Sequence, residues 1–267
     1  MSPSAPRISF RNVSVQFATP SGGQMRVVDN VTYDIHHREF VSVIGPSGCG
    51  KTTMLNMVAG FMHPSSGSVS LDGKPIVGPG PDRGVIFQEY GVFPWLSVKD
   101  NIAFGLNLRA NLTSAAERDQ ICERYMRLMG LAEFADAWPR MLSGGMRQRL
   151  ALARAYAVKP EFLLMDEPFG ALDAQTRSAM QDLLLEVLAA ENKTVMLITH
   201  SVEEAIYLSN RIIVMTARPT RIREIIQVSF PYPRASALHE SSDFGELRAH
   251  VRDLVMQEYA QQARQRA

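Results

Sequence analysis

The run FVSVIGPSGCGKTT, residues 40 to 53, constrains this chain more than any other stretch. A short apolar segment ends in glycine, which marks a buried strand. A glycine-rich turn follows, and then a helix from Lys51 to about Phe61. GPSGCGKT fits the pattern G-x-x-x-x-G-K-[ST], and the strand before it and helix after it are the context that pattern needs. Gly45, Gly48 and Gly50 let the backbone curl until successive N–H groups face a phosphate. Lys51 brings a positive charge to the β- and γ-phosphates, and the Thr52 hydroxyl can ligate Mg²⁺. Cys49 fills a free position of the loop. It reads either as a small residue that fits or as a thiol whose modification would block nucleotide entry.

Around this unit the hydrophobic pattern alternates between two periods. Ile8, Phe10, Val13, Val15 and Phe17 alternate in or out of a sheet face, and so do Val31, Tyr33 and Ile35. TPSGGQ (19–24) is a turn between them. SGSVSLDGKPI (66–76) reads as a hairpin arm turning at Asp72-Gly73. GVIFQ (84–88), FLLMD (162–166) and TVMLITH (194–200) read as buried strands. Residues 97 to 156 read as helical, with Ser97 and Ser114 as N-caps, a capping box from Ser114 to Glu117, and one apolar face of Ile121, Tyr125 and Leu128. Strands alternating with helices predict an α/β fold with a mainly parallel sheet, an N-terminal antiparallel β subdomain and an inserted helical subdomain. After RIIVMTARP (211–219) the character shifts. IIQVSF alternates briefly, PYP breaks it, and a last helix from about Asp243 places Phe244, Leu247, Val251, Leu254 and Val255 on one face.

Length and charge narrow the functional classes. The chain has 267 residues and a formal net charge of +1. That balance argues against a dedicated nucleic-acid binder, which shows a basic excess. No apolar run approaches the roughly 18 to 20 residues that span a bilayer. MSPSAPRISF lacks the apolar core of a secretory signal. The expectation is a cytoplasmic chain that meets membranes through a partner. Cys49 and Cys122, far apart in sequence, are expected to be reduced and unpaired. The histidines form no metal-ligand cluster, and the pair His36-His37 is expected at a strand end, pointing two ways.

Further residues complete a phosphoryl-transfer site. Asp166, at the carboxyl end of FLLMD, can hold Mg²⁺ through water, and Glu167 is placed to polarise an attacking water. Gln88 and His200 end their strands in the same row, where α/β sheets bind ligands. Positioning and charge stabilisation are most of what phosphoryl transfer needs. One stretch is then left over. In LSGGMRQRLALARAY (142–156) a serine and two glycines precede a helix, with Ser143 as its N-cap, which makes a second anion site.

These residues resemble one family. GPSGCGKTT, Gln88, LSGGM, FLLMDEP, ALD (171–173) and His200 occur in the order and rough spacing of an ATP-binding-cassette ATPase subunit, over about residues 7 to 217. The resemblance implies a P-loop NTPase core over 1–217, with a helical subdomain at about 89–157, and a short extension over 218–267. It implies that Gly45, Pro46, Ser47, Gly48, Cys49, Gly50, Lys51, Thr52 and Thr53 hold ATP. Thr52, Gln88 and Asp166 would hold Mg²⁺, while Glu167, His200, Gln88 and Lys51 serve hydrolysis. It implies that Phe17 stacks on adenine, and that Ser143, Gly144 and Gly145 cap the γ-phosphate held by a second subunit. The left-over anion site thus belongs to the partner's nucleotide in a head-to-tail homodimer, with Asp173 at the seam. Gln88 and EYGVFPW would form the hinge to the helical insertion. Phe93 and Trp95 would line the groove that receives a permease helix, or serve as plain core.

A narrower resemblance is to importer ATPases of the nitrate, sulfonate, taurine and bicarbonate group, carried by GPGPDRGVIFQEYGVFPWLSVKDNIAFGL, LSGGMRQR and FGALD. It implies transmembrane permease partners, an indirect solute-binding protein, a small anionic solute, and a place on the cytoplasmic face of the membrane, with no nucleic acid. Leu150, Tyr156 and Phe17 depart from residues common in the family. An exporter ATPase, a soluble cassette acting on nucleic acid or the ribosome, and a small-molecule kinase are the alternatives. The last helix packs on its own core or helps to pair the subunits.

Overall fold

Strand alternation at the start of the chain becomes two long antiparallel strands. The computed structural model describes residues 5–20, 22–88, 91–108, 114–191 and 193–266. In chain order its strands are β1 (Ile8–Ala18), β2 (Gln24–Ile35), β3 (Phe40–Ile44), β4 (Ser66–Leu71), β5 (Lys74–Pro75), β6 (Arg83–Ile86), β7 (Phe162–Asp166), β8 (Thr194–Ile198), β9 (Arg211–Met215) and β10 (Ile222–Gln227). Its α-helices are α1 (Lys51–Ala59), α2 (Val98–Leu106), α3 (Ala115–Leu128), α4 (Gly144–Ala157), α5 (Ala174–Glu191), α6 (Val202–Leu208) and α7 (Ser242–Arg266). The chain divides into two compact units, Met1–Pro79 with Leu185–Ala267, and Gly80–Leu184.

The first unit holds an antiparallel sheet in the order β2-β1-β4-β5. Asp72 (φ 47°) and Gly73 (φ 75°) make the β4–β5 turn, and two successive positive φ angles match the right-handed twist of the strands. Ile8, Phe10, Val13 and Val15 are buried, whereas Phe17 is 41% exposed, so the buried face of β1 ends at Val15. In the same unit β3 pairs in parallel with β8 and β9, and β10 runs antiparallel to β9. Every residue of β3 and β8 is buried, which is why both are apolar apart from Ser42 and Thr194. His36 and His37 lie just past β2. His36 is half-buried, and His37 is exposed and 3.4 Å from Asp72.

The C-terminal helix packs inside this first unit, against α6 and β9. Its apolar face carries Phe244, Val251, Leu254 and Val255, all buried, with Leu247 half-buried. Glu258 is also buried on α7, and its Oε2 accepts the Ala217 amide at 2.9 Å.

An ion pair ties β2 to the segment that follows β9. Arg221 Nε donates to Asp29 Oδ2 at 2.9 Å, and Arg26 Nη1 donates to Oδ1 at 3.0 Å. The Arg221 guanidinium holds the Asp29 carboxyl below the usual carboxylate range. A carboxyl with a lowered pKa in the folded state stabilises the fold above its unfolded pKa of about 3.9, and that contribution fades as pH falls through the lower, folded value. Asp29→Asn is therefore expected to lower the melting temperature at neutral pH. The gap to wild type should close below about pH 4. A gap that stays constant between pH 7 and pH 3 would dismiss the ion pair as its source.

In the second unit β6 and β7 pair in parallel, and α2, α3 and α4 pack on one another. The serine caps lie where the sequence places them. The hydroxyls of Ser97, Ser114 and Ser143 accept the amides of Asp100, Glu117 and Met146. The α3 stripe differs from the expectation. Ile121, Cys122, Tyr125 and Met126 are buried, with Met129 just beyond the helix, while Leu128 is 41% exposed. At 100° per residue Leu128 lies roughly 90° from the centre of that stripe. Cys49 and Cys122 are both free, as expected, and both are buried.

Candidate nucleotide site

Backbone geometry in the first unit makes the loop between β3 and α1 specific to its glycines. Gly45 has φ 157°, and a Cβ there would lie 2.8 Å from the Met215 carbonyl oxygen. Gly50 has φ 126°, and a Cβ there would lie 3.0 Å from Val27. Helix α1 then begins with no side-chain cap and no acid in its first turn. Helices α2, α3, α4 and α6 all begin with a serine cap. Uncapped amides at a helix start are donors awaiting an anion, and the helix dipole favours negative charge there. Lys51 is only 6% exposed. Its ammonium donates to the carbonyls of Gly45 at 2.8 Å and Pro46 at 3.0 Å. Pro46 is buried, Ser47, Gly48 and Thr52 are exposed, and Thr53 is half-buried. Cys49 has no exposed surface, so the loop position accepts it as a small residue and a reagent in solvent does not meet the thiol.

Phe17 faces Met25 across the β1–β2 pair. Its exposure takes it out of the core and leaves a ring face for stacking. His200 follows β8 and is exposed. Its neighbours are fixed: Thr199 Oγ1 donates to Glu204 Oε2 at 2.5 Å, and Ser201 caps α6 by accepting the Glu204 amide at 3.2 Å. The Ser201 amide in turn donates to Thr199 Oγ1 at 3.0 Å. Thr199 and Glu204 are buried, so His200 stands between two anchored residues.

The second unit brings Gln88 and Glu167 together. Strand β6 ends at Ile86, so Gln88 lies in the turn beyond it rather than in the strand as expected. The parallel register sets Ile86 opposite Met165, which carries both chains out on one side of the pair. Gln88 Nε2 donates to Glu167 Oε2 at 3.3 Å. Glu167 has φ 47°, a left-handed backbone that costs a non-glycine residue roughly 1–3 kcal/mol and tends to persist at functional positions. Asp166 is half-buried at the end of β7. With its amide nitrogen turned to the Glu167 carboxylate, Gln88 keeps its carbonyl oxygen for another partner. Within this unit the Gln88 carbonyl and the Asp166 carboxylate are hard oxygen donors of the kind Mg²⁺ takes; in the first unit the Thr52 hydroxyl is a donor of the same kind.

Ser143 caps α4 with its hydroxyl oxygen accepting the Met146 amide at 3.2 Å. The hydroxyl proton stays available to an anion. Gly144 and Gly145 follow without side chains, and a Cβ on Gly145 would lie 2.6 Å from Thr176 Cγ2. The Thr176 amide is itself capped by Asp173 Oδ1 at 2.9 Å, and that bond holds the exposed Asp173 carboxyl below its usual range. Thr176 therefore joins the LSGGM turn to the ALD turn, a link that sequence reasoning did not supply.

Two more residues of this unit escaped sequence reasoning. Asn101 is fully buried and orders the loop before α2. Its Oδ1 accepts the Phe93 amide at 2.8 Å, and its Nδ2 donates to the carbonyls of Phe93, Leu96 and Ser97. Arg154 donates to the Gly91 carbonyl and lies 4.0 Å from the centre of the Phe93 ring. Phe93 also packs on Phe104, so it is half core, whereas Trp95 is 64% exposed. Glu89 and Tyr90 of the expected hinge lie outside the described residues.

Known proteins resemble this chain over most of its length. Residues 28–170 match the family model described as ABC transporter. The nitrate import ATP-binding protein NrtD of Synechococcus elongatus is 42% identical over 255 residues, covering 95% of this chain and 93% of that protein. The taurine import ATP-binding protein TauB of Roseobacter denitrificans is 44% identical over 243 residues, covering 91% and 88%. Among solved structures, a dimeric ATP-binding cassette in a post-hydrolysis state, bound to ADP and Pi, superposes with a TM-score of 0.73 at 29% identity. It covers 84% of this chain and all of that one.

Proposed function

The chain belongs to the ABC transporter family and is an ATP-hydrolysing cassette, and from that premise we propose that it is the ATPase subunit of an importer. The supporting observation is the identity of 42–44% with nitrate and taurine import subunits across more than nine tenths of the chain. Nitrate is an anion and taurine carries an anionic sulfonate, so the proposed cargo is a small solute with an anionic group. Two copies pair head to tail and press on a transmembrane permease from the cytoplasmic face of the membrane, while a solute-binding protein delivers the cargo. The cassette occupies 1–217, with its helical insertion at about 89–157, and 218–267 is an extension.

In this reading Phe17 stacks on adenine, and the loop 45–53 wraps the phosphates with its amides. On binding nucleotide, Lys51 exchanges the carbonyls of Gly45 and Pro46 for phosphate oxygens. Thr52, Gln88 and Asp166 hold Mg²⁺, which supplies charge neutralisation at the phosphates. Glu167 orients and polarises the attacking water and takes its proton, and His200 orients the γ-phosphate. Ser143, with the amides of Gly144 and Gly145, donates to the γ-phosphate held by the other copy, and Asp173 lies at the seam. ATP thereby favours the closed pair, and hydrolysis removes that preference.

A tagged chain recovered from detergent-solubilised membranes of its native host is expected to bring down a multi-spanning permease, identified by mass. Recovery of ribosomes or nucleic acid without any membrane protein would reject the importer reading.

A further inference from the structure

Three consecutive carbonyls of the phosphate loop are held by donors from the last fifty residues. Gln262 Nε2, near the end of α7, donates to the Ser47 carbonyl at 3.1 Å. Arg218 Nη2 donates to the Gly48 carbonyl. Thr220 Oγ1, fully buried, donates to the Cys49 carbonyl. Arg218 also reaches the Met25 sulfur at 3.2 Å, on the strand position facing Phe17. Thr220 and the helix that carries Gln262 are themselves anchored. The Thr220 amide donates to the Val27 carbonyl at 2.8 Å, and buried Glu258, one turn before Gln262, accepts the Ala217 amide.

We propose that Arg218, Thr220 and Gln262 are positioning residues for the nucleotide, which set the peptide planes of the phosphate loop from behind. A trans peptide is planar, and its C=O and N–H point in opposite directions. A donor that pins the carbonyl of residue 47, 48 or 49 therefore fixes where the N–H of residue 48, 49 or 50 points. The glycines make this loop soft, and softness costs affinity because each free peptide must be ordered when the phosphate arrives. The brace orders it beforehand. Lys51 does not substitute for it, since its bonds go to the carbonyls of Gly45 and Pro46, one step upstream. Extension residues thus tune a loop about 170 to 215 positions away, and the C-terminal end of α7 bears on nucleotide affinity.

The inference rests on the reading that this loop binds the phosphates, and the test separates the two. ADP and ATP affinities are measured on the full chain by calorimetry, together with KM and kcat for ATP and the melting temperature. Gln262→Ala is expected to weaken nucleotide binding and raise KM by about 2- to 10-fold, the usual worth of one hydrogen bond. Its kcat at saturating ATP and its melting temperature should stay at wild-type values. Thr220→Val, which keeps the shape and loses the donor, should do the same to affinity, and the isosteric Gln262→Glu should weaken it at least as much as Gln262→Ala. Unchanged affinity in Gln262→Ala and Thr220→Val overturns the proposal. So does a fall in kcat with KM unmoved. Lys51→Ala serves as the control: if it binds ATP like wild type, the phosphate-loop reading fails, and the brace fails with it.

Discussion

Replacing Glu167 with glutamine is expected to leave ATP bound and the subunits paired while slowing hydrolysis by about 10²–10⁴-fold, the range a positioned acid–base group contributes. The amide conserves size and can still meet Gln88, which approaches Glu167 to 3.3 Å. The left-handed backbone at this position is already paid for by the turn after β7, where the Gly170 amide donates to the Glu167 carbonyl at 3.2 Å. Only the proton acceptor is lost. Phosphate release at saturating ATP measures the effect, with calorimetry and sedimentation as controls for binding and pairing. Turnover equal to wild type would remove Glu167 from the mechanism.

Complementation between two inactive chains carries the second large effect. Lys51→Ala removes the buried ammonium from the phosphate loop, and Ser143→Arg fills the cap of α4 with a bulky side chain. Each variant alone is expected to lose about 10²–10³-fold in hydrolysis, comparable to deleting a preorganised donor from a charged transition state. In a mixture, a heterodimer assembles one site from the intact loop of one chain and the intact cap of the other. Its second site carries both lesions. Mixing should therefore restore activity, with at most one working site per dimer. Full activity of either chain alone would refute the shared-site reading, and a mixture no better than its components would refute head-to-tail pairing.

How much of this was legible beforehand follows from how far apart the interacting residues lie. The glycine loop after β3, the serine caps and the Asp72-Gly73 turn are marked by residue types within a few positions, so spacing alone locates them, although not the donors that hold the loop. Buried strands were legible because β3 and β8 are each apolar at every position but one. Leu128 departs from the expected α3 face because periodicity does not show where a helix runs past its cover. Asn101 and Arg154 gave no signal, since an asparagine or arginine on a helix has many uses. Their roles come from the loop that folds back over them.

The sequence by itself determined the α/β class, the strand–glycine loop–helix unit around residues 40 to 59, the serine-capped turn at Ser143, and the family these signatures resemble. Local φ preferences, caps and apolar periods are properties of consecutive residues, and they survive without knowledge of the fold. Only the tertiary structure decided that Gln88 meets Glu167 and that Thr176 joins the LSGGM and ALD turns. It alone decided that Arg218, Thr220 and Gln262 hold the carbonyls of residues 47 to 49. Each of these contacts joins segments that become neighbours only when strands pair and helices pack. A backbone carbonyl has no sequence identity by which its distant donor could be named in advance.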